Sequence, residues 1–359
     1  MDDRRDLADL GWDDAWSAKL SAAGLPDGVP ARVARVDRGG WLTLDSPEGL
    51  IRARQHPRFR RITDPLELPI VGDWVVAAAA EGEPPMVDAI LPRRSVFVRG
   101  DAELDEAQAI AANIDVALIL IPATARHSGG RIDRFLTLAW SSGAAPVILV
   151  TKADAVDDIS RCVAQVEAEA LGVPVHAISA TEGIGLGALD AYRGAGTTLV
   201  LLGASGVGKS TLANRMLGAE IMTTSQIRRD GRGRHTTTHR EMVRLPGGGV
   251  LIDTPGLRAL GMHAGESAAE DQAFVDIVEL QATCRFSNCS HASEPGCAVL
   301  AALSDGTLSP DRWQRYQALQ RELGYMARKR DAALQAAETA KWKAIQKRNR
   351  ERYRSRGER

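Results

Sequence analysis

Continuous apolar runs alternate with helical patterns through the middle of the chain. Runs of this kind are typical of strands buried on both faces of a parallel sheet, and they occupy Val116–Ile121, Val147–Val150 and Leu199–Leu202. Between the first two, apolar residues recur at helical spacing at Ile132, Phe135, Leu136 and Ala139. The pattern predicts an α/β domain with helices on both faces of a parallel sheet.

A different pattern precedes this region. Short alternating segments separated by turn signals occupy Ala31–Val36, Gly40–Leu44, Leu50–Arg54, Asp73–Val76 and Met86–Ile90. Five such strands predict a small barrel, and one plausible form is the oligonucleotide-binding (OB) type. A basic cluster with one interleaved aromatic residue lies in it and consists of Arg52, Arg54, His56, Arg58, Phe59, Arg60 and Arg61. It suits phosphate contacts with base stacking, but a solvated arginine face is an equal alternative.

The two ends of the chain are simpler. Residues 1–29 carry Trp12 and Trp16 at helical spacing and are interpreted as a short amphipathic arm. From Pro310 onward the pattern is helical, and the final stretch from Lys341 is rich in lysine and arginine. Such a tail binds nucleic acid or is a solvated end, and the basic cluster of the barrel favours RNA contact.

The segment that follows the third apolar run matches G-x-x-x-x-G-K-[ST]. It consists of Gly203, Ala204, Ser205, Gly206, Val207, Gly208, Lys209 and Ser210, with Thr211 opening a predicted helix. A strand, a glycine-rich loop and a helix are the context in which this motif cradles a triphosphate. Lys209 can reach the β- and γ-phosphates and Ser210 can ligate Mg²⁺. A glycine-rich turn that only starts a helix is the less favoured alternative.

Two weaker motifs lie before this loop. Thr151, Lys152, Ala153 and Asp154 resemble the guanine-reading N-K-x-D motif with Thr in place of Asn. A carboxylate at Asp154 would accept the N1–H and the exocyclic amine of guanine, a pattern that adenine does not offer. Ser179 and Ala180 follow a predicted strand and resemble the segment that offers a backbone N–H to guanine O6. Taken alone, each motif is more often an ordinary strand end or turn.

Two further motifs follow the loop. Asp253-Thr254-Pro255-Gly256 matches D-x-x-G, in which the carboxylate of Asp253 holds Mg²⁺ and the N–H of Gly256 meets the γ-phosphate. The polar stretch 231–239 contains three threonines, of which one can close over Mg²⁺ as a switch I loop does. We assign this role to Thr237, although the sequence does not distinguish it from Thr236 or Thr238.

The order of these motifs is informative. An ordinary GTPase runs phosphate loop, switch I, D-x-x-G, N-K-x-D and S-A, whereas here the last two come first. All five can surround one nucleotide if the usual termini are joined and the chain is opened elsewhere. The sequence therefore predicts a circular permutation.

A metal site is predicted downstream. Cys284, Cys289, His291 and Cys297 give C-x4-C-x-H-x5-C. Three thiolates and one imidazole form a closed tetrahedral set of the type that binds structural Zn²⁺. Buried cysteines packing as small apolar residues are the less favoured alternative.

Composition narrows the class of protein. The chain has 359 residues, 44% of them hydrophobic and 25% charged, with a formal net charge of -1. This balance argues against a uniformly basic nucleic-acid binder. The chain shows neither an apolar signal segment nor a run long enough to cross a bilayer, and three of its four cysteines are clustered. We expect a cytoplasmic protein with no membrane association.

Taken together, these residues resemble the ribosome small-subunit-dependent GTPase A (RsgA) family of circularly permuted GTPases. The matching residues are the five nucleotide motifs, the zinc pattern and Gly72-Asp73-Trp74 in the barrel. The resemblance implies a multidomain α/β protein: an arm at 1–29, an OB-type barrel at 30–98, a permuted GTPase domain at 99–265, and a zinc-binding helical domain with a basic tail at 266–359.

It also implies the activity and the partners. The expected protein is a hydrolase acting on the acid anhydride of GTP, a monomer that matures the small (30S) ribosomal subunit and contacts its rRNA. GTP hydrolysis, stimulated by the subunit, would control binding and release. Leu257 stands where Ras-like enzymes have the water-orienting Gln. His235 or a group of the ribosome is therefore the candidate that places the attacking water.

Two other functions remain open at this point. In one, the chain is an RNA-binding assembly factor in which the nucleotide only orders the fold. In the other, it is a P-loop ATPase or kinase, against which Asp154 argues.

Overall fold

The structure is a computed structural model. It describes residues 7–25, 28–78, 83–100, 107–124, 129–218, 240–253, 272–321 and 323. The helices are α1 Asp14–Ala22, α2 Gly129–Ser142, α3 Ile159–Glu169, α4 Lys209–Leu217, α5 Val275–Ala282, α6 Ala298–Asp305 and α7 at 310–321. Short 3-10 turns occur at Leu7–Leu10, Pro57–Arg61, Pro65–Glu67, Ala153–Ala155 and Leu186–Ala191. None of the helices in these ranges is long and apolar enough to cross a membrane.

Five strands close into the predicted barrel. They are β1 Val29–Val36, β2 Trp41–Ser46, β3 Gly49–Gln55, β4 Trp74–Ala78 and β5 Met86–Ile90. Their order is β1-β2-β3-β5-β4, and β4 returns to pair antiparallel with β1. Alternating apolar residues point into the barrel and form its core, among them Val33, Leu42, Leu44, Val75 and Val87. Closure leaves no free edge within the five strands.

A two-stranded sheet follows the barrel, formed by β6 Val96–Gly100 and β7 Ala107–Ala112. The sequence pattern did not predict this pair. The expected boundary between residues 98 and 99 falls inside β6, and the domain boundaries proposed from the sequence stay predictions.

The predicted parallel sheet is formed by β8 Val116–Pro122, β9 Ala145–Thr151, β10 Val175–Ala177, β11 Thr198–Leu202 and β13 Val250–Asp253. These five are parallel in the order β10-β9-β8-β11-β13, and β12 Glu241–Arg244 runs antiparallel beside β13. The middle residues of β8, β9 and β11 are buried, as the continuous apolar runs predict. Their core includes Leu118, Leu149 and Leu201, with Leu212 and Met216 of α4.

The barrel and the parallel sheet are joined by hydrogen bonds. Arg35 of β1 pairs with Glu241 of β12, which makes one continuous sheet of eleven strands. The guanidinium of Arg244 also forms a bidentate pair with Asp45 of β2, at 2.8 and 3.0 Å. The chain forms two compact units, and the barrel and this sheet belong to the first; the second contains the described residues from Phe274 onward.

The second unit is helical where it is described. Phe274 and Ile277 are fully buried, and Tyr316 and Leu319 of α7 are buried with them. Arg312 of α7 pairs with Asp276 of α5 at 2.8 Å. This packing confirms the helical spacing predicted after residue 310.

Candidate nucleotide and metal sites

The described nucleotide motifs meet at one edge of the parallel sheet. Strands that run parallel end at the same edge, and this is where α/β proteins bind their ligands. Thr151 ends β9, Ser179 follows β10, Gly203 follows β11 and Asp253 ends β13. The permuted order of the motifs along the chain therefore produces a single cluster in space.

The backbone of the loop at 203–208 requires its glycines. Gly203, Gly206 and Gly208 have φ angles of 145°, 80° and 104°. A Cβ on Gly203 would lie 2.7 Å from the carbonyl oxygen of Leu120. Only glycine adopts such angles without strain, so the loop can turn its N–H groups inward.

Lys209 starts α4 and points back into this loop. Its Nζ donates to the carbonyl oxygens of Gly203 and Ala204 at 2.6 and 2.7 Å. Ser205 and Gly206 at the tip are exposed to solvent. The amino group therefore already lies inside the loop, at the place where it can meet a phosphate.

Thr151 is tied to the same loop. Its side chain is 5% exposed, and its Oγ1 donates to the carbonyl oxygen of Val207 at 2.9 Å. Thr151 stands where the common N-K-x-D motif has Asn, so any bond from this position to the phosphate loop depends on its hydroxyl group. The structure keeps that link through the hydroxyl group.

The remaining residues of the two guanine-type motifs adjoin each other. The N–H of Ala153 donates to Ile178 O at 3.1 Å, which brings the segment after β9 against the segment after β10. Lys152 has a φ of 60°, and Asp154 is exposed at the sheet edge. Ser179 is buried, and its Oγ lies 3.0 Å from Thr181 Oγ1.

Several predicted residues lie outside the described part of the chain. These are His235, Thr236, Thr237, Thr238, Gly256 and Leu257, and the basic tail from Lys341. For Asp253 the structure gives the backbone at the end of β13 but not the side chain.

The aromatic residue of the basic cluster, Phe59, lies inside the barrel and not on its surface. One of the two interpretations of the cluster has Phe59 stacking on bases, but Phe59 is 5% exposed and packs in the barrel core. Arginines flank Phe59 in sequence, but the 3-10 turn Pro57–Arg61 directs the Phe59 side chain inward. Arg58 lies over the Phe59 ring at 5.3 Å, and Trp41 contacts two further arginines: the guanidinium carbons of Arg52 and Arg54 each lie 4.5 Å from its ring centre.

The four predicted metal ligands converge in the second unit. Their ligand atoms all lie within 4.8 Å of one another. The Sγ atoms of Cys284 and Cys297 are 3.9 Å apart, and His291 Nδ1 lies 3.6 and 3.4 Å from them. A tetrahedral zinc ion with ordinary bond lengths requires about 3.8 Å between two sulfurs and about 3.6 Å between sulfur and nitrogen. The residues therefore fit zinc in both type and spacing.

The start of α6 supports negative charge on the sulfurs. Desolvation opposes ionisation of Cys284, but the N–H groups of Ala298 and Val299 donate to it and leave its pKa lowered. The N–H of Leu300 points to Cys297 Sγ at 3.4 Å. A helix N-terminus stabilises thiolates in this way. Desolvation and the neighbouring thiols raise the pKa of Cys289 to about 11.

The sequence analysis did not identify two residues, Arg32 and Glu294. Arg32 is fully buried and bonds to the carbonyl oxygens of Leu10, Gly72 and Asn113. The alternating pattern of β1 gave no sign of this burial, which involves contacts with the N-terminal arm and with the segments around Gly72 and Asn113. Glu294 lies between His291 and Cys297 in the chain but is not part of the Cys-His pattern, so no motif identified it.

Comparisons with known proteins agree with the geometry. The model of the RsgA GTPase family matches residues 90–263. The small ribosomal subunit biogenesis GTPase RsgA of Streptomyces avermitilis is 45% identical over 342 residues, which cover 94% of this chain and 91% of that protein. The protein of the same name from Streptomyces coelicolor is 46% identical over 338 residues, covering 92% and 90%.

Solved structures give the same result. YjeQ from Thermotoga maritima has a TM-score of 0.63 and 26% identity, covering 82% of this chain and 98% of that one. YloQ, described as a circularly permuted GTPase, has a TM-score of 0.60 and 25% identity, covering 83% and 95%. The permuted arrangement is therefore shared with solved proteins.

Proposed function

The chain belongs to the RsgA GTPase family, and from that premise we propose that it hydrolyses GTP during maturation of the small ribosomal subunit. The observation that supports this most is the meeting of the phosphate loop, Thr151–Asp154 and Ser179 at one sheet edge. Its relatives are named for biogenesis of that subunit. The proposed partners are the 30S subunit with its rRNA, and the proposed setting is the cytoplasm, with the chain acting as a monomer.

The nucleotide contacts follow from the positions of the residues. We propose that residues 203–208 bind the phosphates through backbone N–H groups, with Lys209, Ser210 and Thr211 at the start of α4. Asp154 reads the guanine edge, Lys152 and Ala153 flank the base, and Ser179 with Ala180 faces guanine O6. Asp253 and Gly256 complete the γ-phosphate side.

The cofactors are those of the family. Mg²⁺ with GTP neutralises charge on the β- and γ-phosphates, and Ser210, Thr237 and Asp253 are the proposed ligands. His235 is the proposed group for orienting the attacking water, because Leu257 has no polar atom with which to do so. Cys284, Cys289, His291 and Cys297 would hold one structural Zn²⁺, since four protein ligands leave no position for water.

The first experiment is steady-state hydrolysis of GTP and of ATP with and without purified 30S subunits. Strong stimulation by the subunit for GTP alone is the expected result. Equal use of ATP would contradict the guanine assignment, and GTP hydrolysis that the subunit leaves unchanged would contradict the ribosomal partner. Lys209→Ala removes the lysine of the phosphate loop. If this variant loses hydrolysis but still binds RNA, the two activities are separate.

Base selection has its own test. Asp154→Asn should exchange an acceptor for a donor at the base edge and shift preference from GTP to xanthosine triphosphate. Competition binding with both nucleotides measures the shift. Asp157→Asn, a nearby change of equal charge, is the control. Unchanged guanine preference in Asp154→Asn would remove Asp154 from the base site.

A further inference from the structure

We propose that Glu294 is a positioning residue of the metal site, whose carboxylate shapes the loop that presents His291 to the metal. The inference rests on the proposed zinc site, because it concerns how that site is built. It assigns a role to a residue that is not itself one of the four ligands.

The loop at 290–293 wraps around this one carboxylate. The N–H of Ser290 donates to Oε1 at 2.8 Å, and the Ser290 hydroxyl bonds to the same oxygen. The N–H groups of Ala292 and Ser293 donate to Oε2 at 3.0 and 3.1 Å. The donors flank His291 on both sides, so the carboxylate fixes the backbone that carries the imidazole.

The backbone at His291 needs such support. Its φ is 58°, in the left-handed region that residues with a Cβ rarely adopt. The conformation persists only where surrounding bonds determine it. A carboxylate accepting several N–H groups makes charge-assisted bonds, which are stronger than neutral ones.

Glu294 also reaches the last ligand. Its own carbonyl oxygen accepts the N–H of Cys297 at 3.3 Å. Both side-chain oxygens are engaged by the loop, and the four convergent ligand atoms come from the three cysteines and His291. Partners behind metal ligands set ligand orientation, and their loss lowers metal affinity. Here the partner acts on the ligand's backbone.

The test compares Glu294→Gln with Glu279→Gln, the same change at an exposed glutamate of α5 in the same unit. Full-length proteins are titrated with Co²⁺, following the thiolate-to-cobalt absorption, and zinc release to a chromogenic chelator is timed. Glu294→Gln should weaken Co²⁺ binding roughly ten- to a hundredfold, the range for partners behind ligands. Glu279→Gln should match the wild type, and equal affinities for the two variants would overturn the inference.

A double-variant cycle separates positioning of His291 from general weakening of the fold. In a His291→Ala background three thiolates still bind Co²⁺, so Glu294→Gln should cost little more there. A loss as large as in the wild-type background would overturn the inference. Ser290→Ala is the milder second variant, and losing one hydroxyl bond should weaken binding about two- to tenfold; no weakening would count against the proposal.

The wild-type titration tells the two proposals apart. A wild-type protein that binds neither zinc nor Co²⁺ at the cysteines overturns the metal site, and Glu294 falls with it. A wild-type protein that binds one ion, with Glu294→Gln unchanged, overturns only the role of Glu294.

Discussion

At the scale of single residues, one hydroxyl group decides how the guanine motif meets the phosphate loop. Thr151 is a departure from the common motif, and the sequence left its consequence open. In the structure its Oγ1 donates to Val207 O at 2.9 Å and lies 3.5 Å from Ile121 O. Thr151 therefore serves two purposes at the end of β9: its β-branched side chain suits a strand, and its hydroxyl group holds the phosphate loop by a hydrogen bond.

Thr151→Val should loosen the phosphate loop, because valine has nearly the shape of threonine but lacks the hydroxyl group that bonds to the loop. The change leaves the carbonyl of Val207 without this buried donor, which costs about 1–3 kcal/mol. We expect a drop of that size in the free energy of unfolding, measured in urea, and weaker binding of both GTP and GDP. Thr151→Ser keeps the hydroxyl and is the control. Nucleotide affinity in Thr151→Val equal to that of Thr151→Ser would show that the tie has no role in binding.

At the scale of elements, the N-terminal arm is a folded part of the first unit. Asp13 caps α1 by accepting the N–H of Trp16 at 3.0 Å. The cap orients Trp16, which is 1% exposed, and the ring of Trp12 meets Trp74 of β4 edge-on at 4.8 Å. A segment expected to be an amphipathic arm thus covers one side of the barrel with aromatic rings.

Asp13→Ala should destabilise the protein by about 1 kcal/mol through loss of the cap. The hydrogen bond from Arg94, the largest cause, and the N–H of Trp16 lower the pKa of Asp13 below its ordinary 3.8. The contribution of ionised Asp13 to the stability of the protein is therefore complete above about pH 5 and is lost as the pH falls through the lowered pKa.

Urea unfolding of Asp13→Ala and wild type at pH 7 and near pH 3 measures this difference. Asp14→Ala, an exposed change one residue later, is the control. A stability gap that stays constant or widens on acidification would contradict the role of the ionised cap.

At the scale of the molecule, a buried guanidinium joins three parts of the first unit. Arg32 of β1 donates to Leu10 of the arm, to Gly72 before β4 and to Asn113 before β8. Asn113 also donates to Gly72 O at 3.0 Å. The arm, the barrel and the nucleotide-site sheet therefore share one set of hydrogen bonds, in addition to the continuous pairing of β1 with β12.

Arg32→Met should cost at least about 3 kcal/mol, since each bond from a charged donor contributes about 1.5–3 kcal/mol and the carbonyls it serves are buried. Desolvation lowers the pKa of Arg32 to about 10, so the residue stays charged at neutral pH and the loss does not depend on pH there. Urea unfolding at pH 7 measures it, with exposed Arg38→Met as the control. Equal stability of the two variants would show that the shared bonds contribute nothing net.

Nucleotide state should control association with the ribosome at this same scale. The hypothesis is that GTP favours docking on the small subunit and that hydrolysis favours release, as in other switches built on the γ-phosphate. Sedimentation of 30S subunits with the protein loaded with GDP or with a non-hydrolysable GTP analogue measures the difference. Equal affinity of the two forms would contradict it.

Much of the fold was predictable because its determinants are local. Continuous apolar runs predict buried parallel strands, alternation predicts the barrel strands, and glycine, lysine and cysteine spacing specifies the loop and the metal ligands. The family and the permutation follow from motif identity and order. The β6–β7 sheet was not predicted, because the alanine-rich segment Ala107–Ala112 shows no clear alternation of large apolar and polar residues.

What the sequence by itself determined is therefore the set of elements, the identity of the chemical groups and their order along the chain. What only the tertiary structure decided is which side chains lose contact with water and which backbone groups they meet. Phe59 turned into the core and Arg32 became buried under the arm. Glu294 gathered the N–H groups of its own loop around His291, a local arrangement that no sequence motif identified. Burial and long-range hydrogen bonds depend on distances between residues far apart in sequence, and no local pattern encodes those distances.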